Sequence, residues 1–377
     1  MLRMNHRHAT LLAAFALLAC LPAMAQPQAK VFRLLTWNDF TPPDVIAEFE
    51  KETGYKVQVT LASNDDMITK LRAMNAPGAP NVNTGSNASN AGGEGFDLAQ
   101  PSQERIVAAQ REYKIYRPLD LTKIKVDLFN PILLEATKKV ATIDGKVYGL
   151  PHIWGTDGLV INSKLAKNIA DYPDLCKKEY KGKTSVRLWR PTLLGFAFAS
   201  GKDPFKLYAD TKAYSALMDD VAKKLADCKP IMKFHWDNKD RVLGAMRTGE
   251  LVGAMVWDRG GWTLASERPE FRYIAPKSGA MGWVDTFALP ARGRNDDMAY
   301  AWINFNLRPD IAAKLAKSTG NLTAVKGSEA GTDEKRVAQF AASFPAPALK
   351  KIRWYPAFPP ALEEIEGRAL ERIRLGN

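Results

Sequence analysis

The sequence predicts an α/β protein of two domains. Three observations point there. Short apolar strands alternate with amphipathic helices through the N-terminal half. The chain has 377 residues, and loss of an export signal leaves roughly 350, more than one core usually holds. Two segments, 146–155 and 282–290, read as crossings between the domains.

The chain opens on that export signal. Arg3, His6, Arg7 and His8 make a basic start, 11–21 is an apolar run, and Ala23-Met24-Ala25 is a cleavage site before Gln26. The run is too short to span a bilayer. Residues 1–25 are therefore expected to be a signal peptide that is removed. Leu17-Leu18-Ala19-Cys20 offers a second reading, a lipoprotein box that leaves a lipidated Cys20.

Residues 30–36 read as a strand that runs into the loop Trp37-Asn38-Asp39-Phe40-Thr41-Pro42-Pro43. Residues 44–53 form a helix with Val45, Ile46 and Phe49 at helical spacing and Gly54 as its stop. Residues 55–61 are a second strand. The loop thus sits beyond a strand's carboxyl end and before a helix, where open α/β sheets place ligands. Export plus such a loop points to a secreted receptor for a small molecule. Residues 65–73 are a second helix, with Asp65 and Asp66 in the first turn where the dipole favours acids. Residues 75–95, rich in Asn, Gly, Pro and Ser, cannot bury apolar area and read as a surface loop. No Gly-Lys-Ser/Thr follows them, so they are no phosphate cradle.

Residues 96–99 resume as a strand, followed by Pro101-Ser102-Gln103-Glu104 and a helix. The 146–155 crossing reads as a turn and 158–162 as a strand. The stretch 176–228 reads as helical and basic. Residues 251–257 are a buried strand ending in Asp258-Arg259-Gly260-Gly261. Helices follow the return crossing at 298–307 and 310–319, and 360–375 is a charged amphipathic helix.

The net charge is +12, yet Lys and Arg are interleaved with Asp and Glu. No basic run has the density of a nucleic-acid arm, so no nucleic-acid partner is expected. No segment beyond the signal is long and apolar enough to span a membrane. Once the signal is gone, Cys176 and Cys228 remain. An even pair in an oxidising compartment predicts one disulfide, worth about 4 kcal/mol in the chain-entropy picture; two free buried thiols are the alternative. With only His152 and His235 left beside them, no metal site is expected.

Gly-x-Ser-x-Gly, His-Glu-x-x-His and the phosphate-binding Gly-x-x-x-x-Gly-Lys-Ser/Thr are all missing, which argues against an enzyme and against a cofactor. His152, between Pro151 and Ile153, reads as structural. More telling are tryptophans at expected strand ends: Trp37, Trp154, Trp189, Trp257 and Trp283. Aromatic faces hold methylenes and cations. Asp39, Asp65, Asp157, Asp258 and Asp285 lie beside them as carboxylates for amino groups.

With these residues in place, the chain from about Phe32 onward resembles the periplasmic spermidine/putrescine-binding proteins of ABC importers. The matching stretches include Thr36-Trp37-Asn38-Asp39-Phe40, Ser63-Asn64-Asp65, Pro101-Ser102, residues 149–155, Met255-Val256-Trp257, Trp283-Val284-Asp285 and Ile303-Asn304-Phe305. The resemblance implies a two-lobed periplasmic binding protein fold of type II. Its two discontinuous α/β domains, 26–155 plus 284–323 and 156–283 plus 324–377, would be joined by a two-crossing hinge. It implies a periplasmic monomer that closes on a ligand and delivers it to an inner-membrane ABC permease. The family's contacts carry over to Trp37, Asp39, Phe40, Trp257, Trp283 and Asp285, the last holding an ammonium group.

The chain departs from the family twice. Gln103 and Glu104 stand where the family tends to have tyrosines. Arg187, Trp189 and Arg190 stand in a segment where the family carries acids that hold polyamine nitrogens. Arginine facing the cleft there repels a polyamine and attracts a carboxylate or phosphonate; the other reading is that Arg187 and Arg190 point to solvent. Three readings stay open: an amine-bearing ligand (polyamine or amino acid-like zwitterion), an anion on the same fold, and a periplasmic enzyme.

Overall fold

The computed structural model describes residues 30–79, 95–328 and 334–376. The expected signal peptide, Cys20 and most of the 75–95 insert lie outside the described residues.

Strands Val31–Thr36 and Lys56–Leu61 pair in parallel, and Leu98–Ala99 flanks the first on its other side. Parallel pairing needs a crossover, which helix Pro43–Thr53 supplies. Proline suits its first turn, where an N–H has no partner to lose. Gly54 ends it at φ 72°, a left-handed conformation that favours glycine. Phe49 is fully buried against Phe32, Trp302 and Phe305, which stabilises by about 1.5–3 kcal/mol. Ser63 and Asp66 form a capping box that starts helix Asn64–Asn75.

Where a turn is expected at 146–155, the structure runs one strand, Leu150–Asn162. The glycines that suggest a turn are there for space. A Cβ on Gly155 would stand 2.4 Å from the Trp283 ring, and one on Gly158 would stand 2.6 Å from the Tyr273 hydroxyl. This strand pairs antiparallel with Met281–Phe287, in a register that sets Gly155 opposite Trp283 and Ile153 opposite Asp285. Its far half pairs with Gly253–Trp257 and Phe271–Ile274. Gly253–Trp257 in turn pairs in parallel with Thr184–Val186. The region between the cysteines is therefore not wholly helical. A strand of three residues, two of them Thr and Ser, carries no apolar alternation to announce it.

Two cores form. One gathers Phe32, Phe49, Phe129, Val284 and Trp302. The other gathers Leu159, Tyr172, Val186, Tyr214 and Met255 with Phe358 and Ile373 from the C-terminus. Each lobe is thus assembled from separate stretches of chain. The first core also takes in Ala324 and Val325, past the expected limit at 323, because Asn130 N–H donates to the Ala324 carbonyl and Val325 bridges Phe129. The Cys176–Cys228 disulfide, spanning 52 residues, ties the turn Tyr172–Cys176 to the end of helix Thr211–Cys228. Two small clusters lie apart from these cores, and Trp283 packs against both. Among the described residues no helix is long and apolar enough to cross a membrane, and no group of His, Cys, Asp or Glu could hold a metal ion.

Candidate functional site

Side chains alternate along a strand, so the two crossing strands present one shared face. It carries Ile153, Gly155 and Asp157 from one strand and Met281, Trp283 and Asp285 from the other. Trp283 lies over Gly155. Phe40, Ile153 and Leu315 pack on it together with Trp37 in one small cluster; Leu194, Phe198, Met281 and Tyr355 pack on it in the other. An indole thus sits between two buried carboxyls.

At the first-lobe end, Asp285 is 6% exposed and accepts a 2.6 Å hydrogen bond from Ser102 Oγ. Asn64 exchanges hydrogen bonds with Ser102 and fixes it. Burial pushes the Asp285 carboxyl up to about 8; the Ser102 bond opposes this and the nearby Glu104 charge adds to it. Glu104 is also buried, and burial raises its carboxyl against the pull of Arg190.

At the second-lobe end, Asp157 is 1% exposed, and burial, then the charge of Asp258, pushes its carboxyl well up. The half-buried Arg187 guanidinium lies 4.3 Å from the Trp189 ring, 5.5 Å from Trp257 and 5.6 Å from Trp236. Trp257 meets both Trp189 and Trp236 edge to face, so the rings brace one another. Burial lowers the Arg187 pKa, opposed by Asp157 and Asp237.

Several buried polar atoms in this region have no hydrogen-bond partner: Trp37 Nε1, Trp283 Nε1, Glu104 Oε2, Asp157 Oδ1 and Tyr355 hydroxyl. An unmet buried donor or acceptor costs about 1–3 kcal/mol. Buried groups with unmet hydrogen-bonding capacity are available to a polar partner.

Other expected contacts are spent elsewhere. Asp39, at the left-handed φ of 74°, is partly exposed and pairs with Arg259 at 2.8 Å and Lys239 at 3.6 Å. Burial pushes its carboxyl up, but the Arg259 hydrogen bond and both cations outweigh this and hold it low. Asp39 therefore bridges the lobes rather than lining the buried face. Asp65 is exposed, 3.8 Å from Arg105. Gln103 is fully buried, but its amide donates to the Tyr355 carbonyl and accepts from Thr137. Asp258 accepts from Thr156 N–H and hydroxyl and from Arg259 N–H, pinning a helix start to the crossing strand; burial pushes it up to about 6. Arg190 is held by Glu366 at 3.2 Å and stacks 3.7 Å from the Phe358 ring, so it serves the second lobe's interior. Trp154 is mid-strand and donates to the Thr323 carbonyl. The five tryptophans are thus not at equivalent strand ends. His152 is buried between Phe40 and Phe287, and burial pushes it down to about 3.

Sequence reasoning missed Ser102 as the partner of Asp285, and missed Trp236 and Tyr355 altogether. Ser102 bridges Asp285 across 183 residues, a pairing with no local trace. Trp236 lies next to a two-residue strand, Phe234–His235, too short to read.

An open groove of about 720 Å³ over Asn38, Asp39, Thr41 and Ser318 holds none of the buried acids, so the ribbon face is the stronger candidate. The chain's similarities agree with a binding role. A family described as bacterial extracellular solute-binding protein matches residues 44–342. The spermidine/putrescine-binding periplasmic protein of Salmonella typhimurium is 27% identical over 319 residues, covering 82% of each chain. The putrescine-binding periplasmic protein PotF of Escherichia coli is 27% identical over 340 residues, covering 84% of each. Among solved structures, a spermidine/putrescine ABC transporter substrate-binding protein from Streptococcus pneumoniae superposes with a TM-score of 0.73 at 22% identity, covering 92% of this chain and 99% of that one. That likeness shows the two-lobed fold.

Proposed function

The chain belongs to the bacterial extracellular solute-binding protein family, and from that premise we propose that it is the periplasmic receptor of a polyamine-type ABC importer. It captures a small amine-bearing ligand between its lobes and delivers it to the permease. The residues that do this are Trp37, Phe40, Glu104, Trp257, Trp283 and Asp285, with Arg187 and Trp189 at the far end. One observation carries the reading: buried carboxyls at either end of an indole, several of their polar neighbours unpaired. An ammonium group supplies the missing partner at Asp285, and the indole face holds the methylenes between. The relatives named for spermidine and putrescine support the amine.

On this reading the lobes are 26–155 plus 284–323 and 156–283 plus 324–377, with the exchange at the second boundary a few residues later, and they move as two bodies about the crossing strands. The product works as a monomer, exported by the cleavable signal or anchored at Cys20. Isothermal titration of the mature protein with putrescine, spermidine and amino acids tests the role. Micromolar or tighter binding of an amine that Asp285→Asn weakens at least tenfold is expected. No heat with any amine would end the proposal.

A further inference from the structure

We infer that Arg187 and the rings of Trp189, Trp236 and Trp257 form an anion subsite, so that the ligand is an elongated zwitterion with its ammonium group at Asp285 and Glu104 and its carboxylate at Arg187. The inference rests on the receptor reading above and narrows its ligand class.

Three observations carry it. First, the arginines near this face differ in occupation. Arg190 is held by Glu366 and Arg259 by Asp39. The half-buried Arg187 guanidinium has no hydrogen bond or ion pair with any described residue; three indoles pack around it, and the charges of Asp157 and Asp237 reach it without a direct pair. Indole faces attract a guanidinium and give its N–H groups only weak N–H···π contacts, which leaves their stronger hydrogen-bonding capacity unused. Those N–H groups form a fork that fits a carboxylate in two parallel hydrogen bonds.

Second, the nearest buried acid does not take that role. Asp157 keeps Oδ1 unpartnered although its charge influences Arg187. Burial favours its neutral form, and a neutral carboxyl donates a proton to a ligand carboxylate rather than competing for the guanidinium.

Third, the two ends are well separated. Asp285 faces Ile153, while Asp157 lies four residues further along the same strand. At about 3.3 Å per residue the ends are roughly 13 Å apart at the backbone, less where side chains converge. A compact α-amino acid does not reach both. An amine and a carboxylate joined by several methylenes over Trp283 do. A diamine of that length would place its second ammonium against the Arg187 guanidinium, where like charges repel.

Calorimetric titration of the mature protein with 5-aminopentanoate, γ-aminobutyrate, putrescine, spermidine and glutarate tests this. One of the amino acids should bind at least tenfold tighter than either polyamine and than glutarate. Arg187→Gln should weaken that amino acid at least tenfold and strengthen putrescine, reversing the selectivity. Tighter binding of putrescine or spermidine by the native protein overturns the anion subsite and leaves the amine receptor standing. Tightest binding of glutarate overturns the ammonium end, and no binding of any compound overturns the receptor reading too. The comparison within the native protein decides the matter even if the variant fails to fold.

Discussion

Burial beside Ser102, with Glu104 nearby, pushes the Asp285 carboxyl up to about 8 from an ordinary 3.8. As pH rises from about 4 towards 8, the unfolded chain loses this proton while the folded chain keeps it. Native stability therefore falls across that window. Asn at this position can still accept from Ser102 and carries no charge. Asp285→Asn should raise the melting temperature of the ligand-free protein by a few degrees at pH 7.5 and by nothing near pH 4. Identical melting curves for both proteins at every pH would remove the carboxyl from this account. Ligand changes the same group in the other direction. An ammonium group needs the carboxylate, so binding at pH 7 should release a proton, and amine affinity should rise with pH up to about 8. Titrations in buffers of different ionisation enthalpy measure that proton directly; the same apparent heat in each buffer would contradict it.

At the scale of elements, the two crossing strands both join the lobes and carry the ligand face. Period-two alternation makes this possible: one side of the ribbon packs into the cores, and the other offers Asp157, Trp283 and Asp285. Gly155 is where the ribbon admits the indole. Gly155→Ala places a methyl within 2.4 Å of the Trp283 ring. Overpacking of this kind costs about 1–3 kcal/mol. The ring must move, so the variant should lose stability and at least tenfold in ligand affinity, with a changed tryptophan fluorescence on binding. Normal affinity would show that Trp283 has another way to sit. The same crowding explains why this strand was hard to read. Glycine usually signals a turn, and here it signals a ring packed against the backbone. The first strands and helices were legible to within two residues, because their periodicity and the Gly54 stop are local.

For the whole molecule, the lobes also meet through charged pairs away from the ligand face. Asp39 of the first lobe pairs with Arg259 and Lys239 of the second, and Arg105 pairs with Glu363 of the C-terminal helix. Exposed pairs of this kind are worth about 0–1 kcal/mol and weaken with salt. Their effect should therefore appear in closure rather than in melting. Asp39→Ala should speed ligand release severalfold at low salt while leaving the melting temperature within a degree or so, and the difference should shrink at about 0.5 M salt. Stopped-flow release measured at both salt concentrations checks this. An unchanged release rate at low salt would mean that Asp39 holds its loop rather than the lobes.

The sequence by itself determined the α/β class, the alternation of the first half, and the acids and tryptophans from which the ligand face is drawn. These are properties of short windows: a strand's period, a helix cap, an aromatic beside a carboxylate. The tertiary structure decided which of them face a ligand. Arg187 and Arg190 stand three residues apart and look alike in the sequence. Glu366, 176 residues further on, takes Arg190 into the second lobe's interior, while Trp236 and Trp257 fold around Arg187. Gln103 and Glu104 are neighbours, yet Tyr355 and Thr137 occupy the amide of the first, and one carboxylate oxygen of the second stays unpartnered. Which polar group is spent on the fold and which is left for a ligand depends on contacts between distant stretches of chain, and no local pattern encodes those.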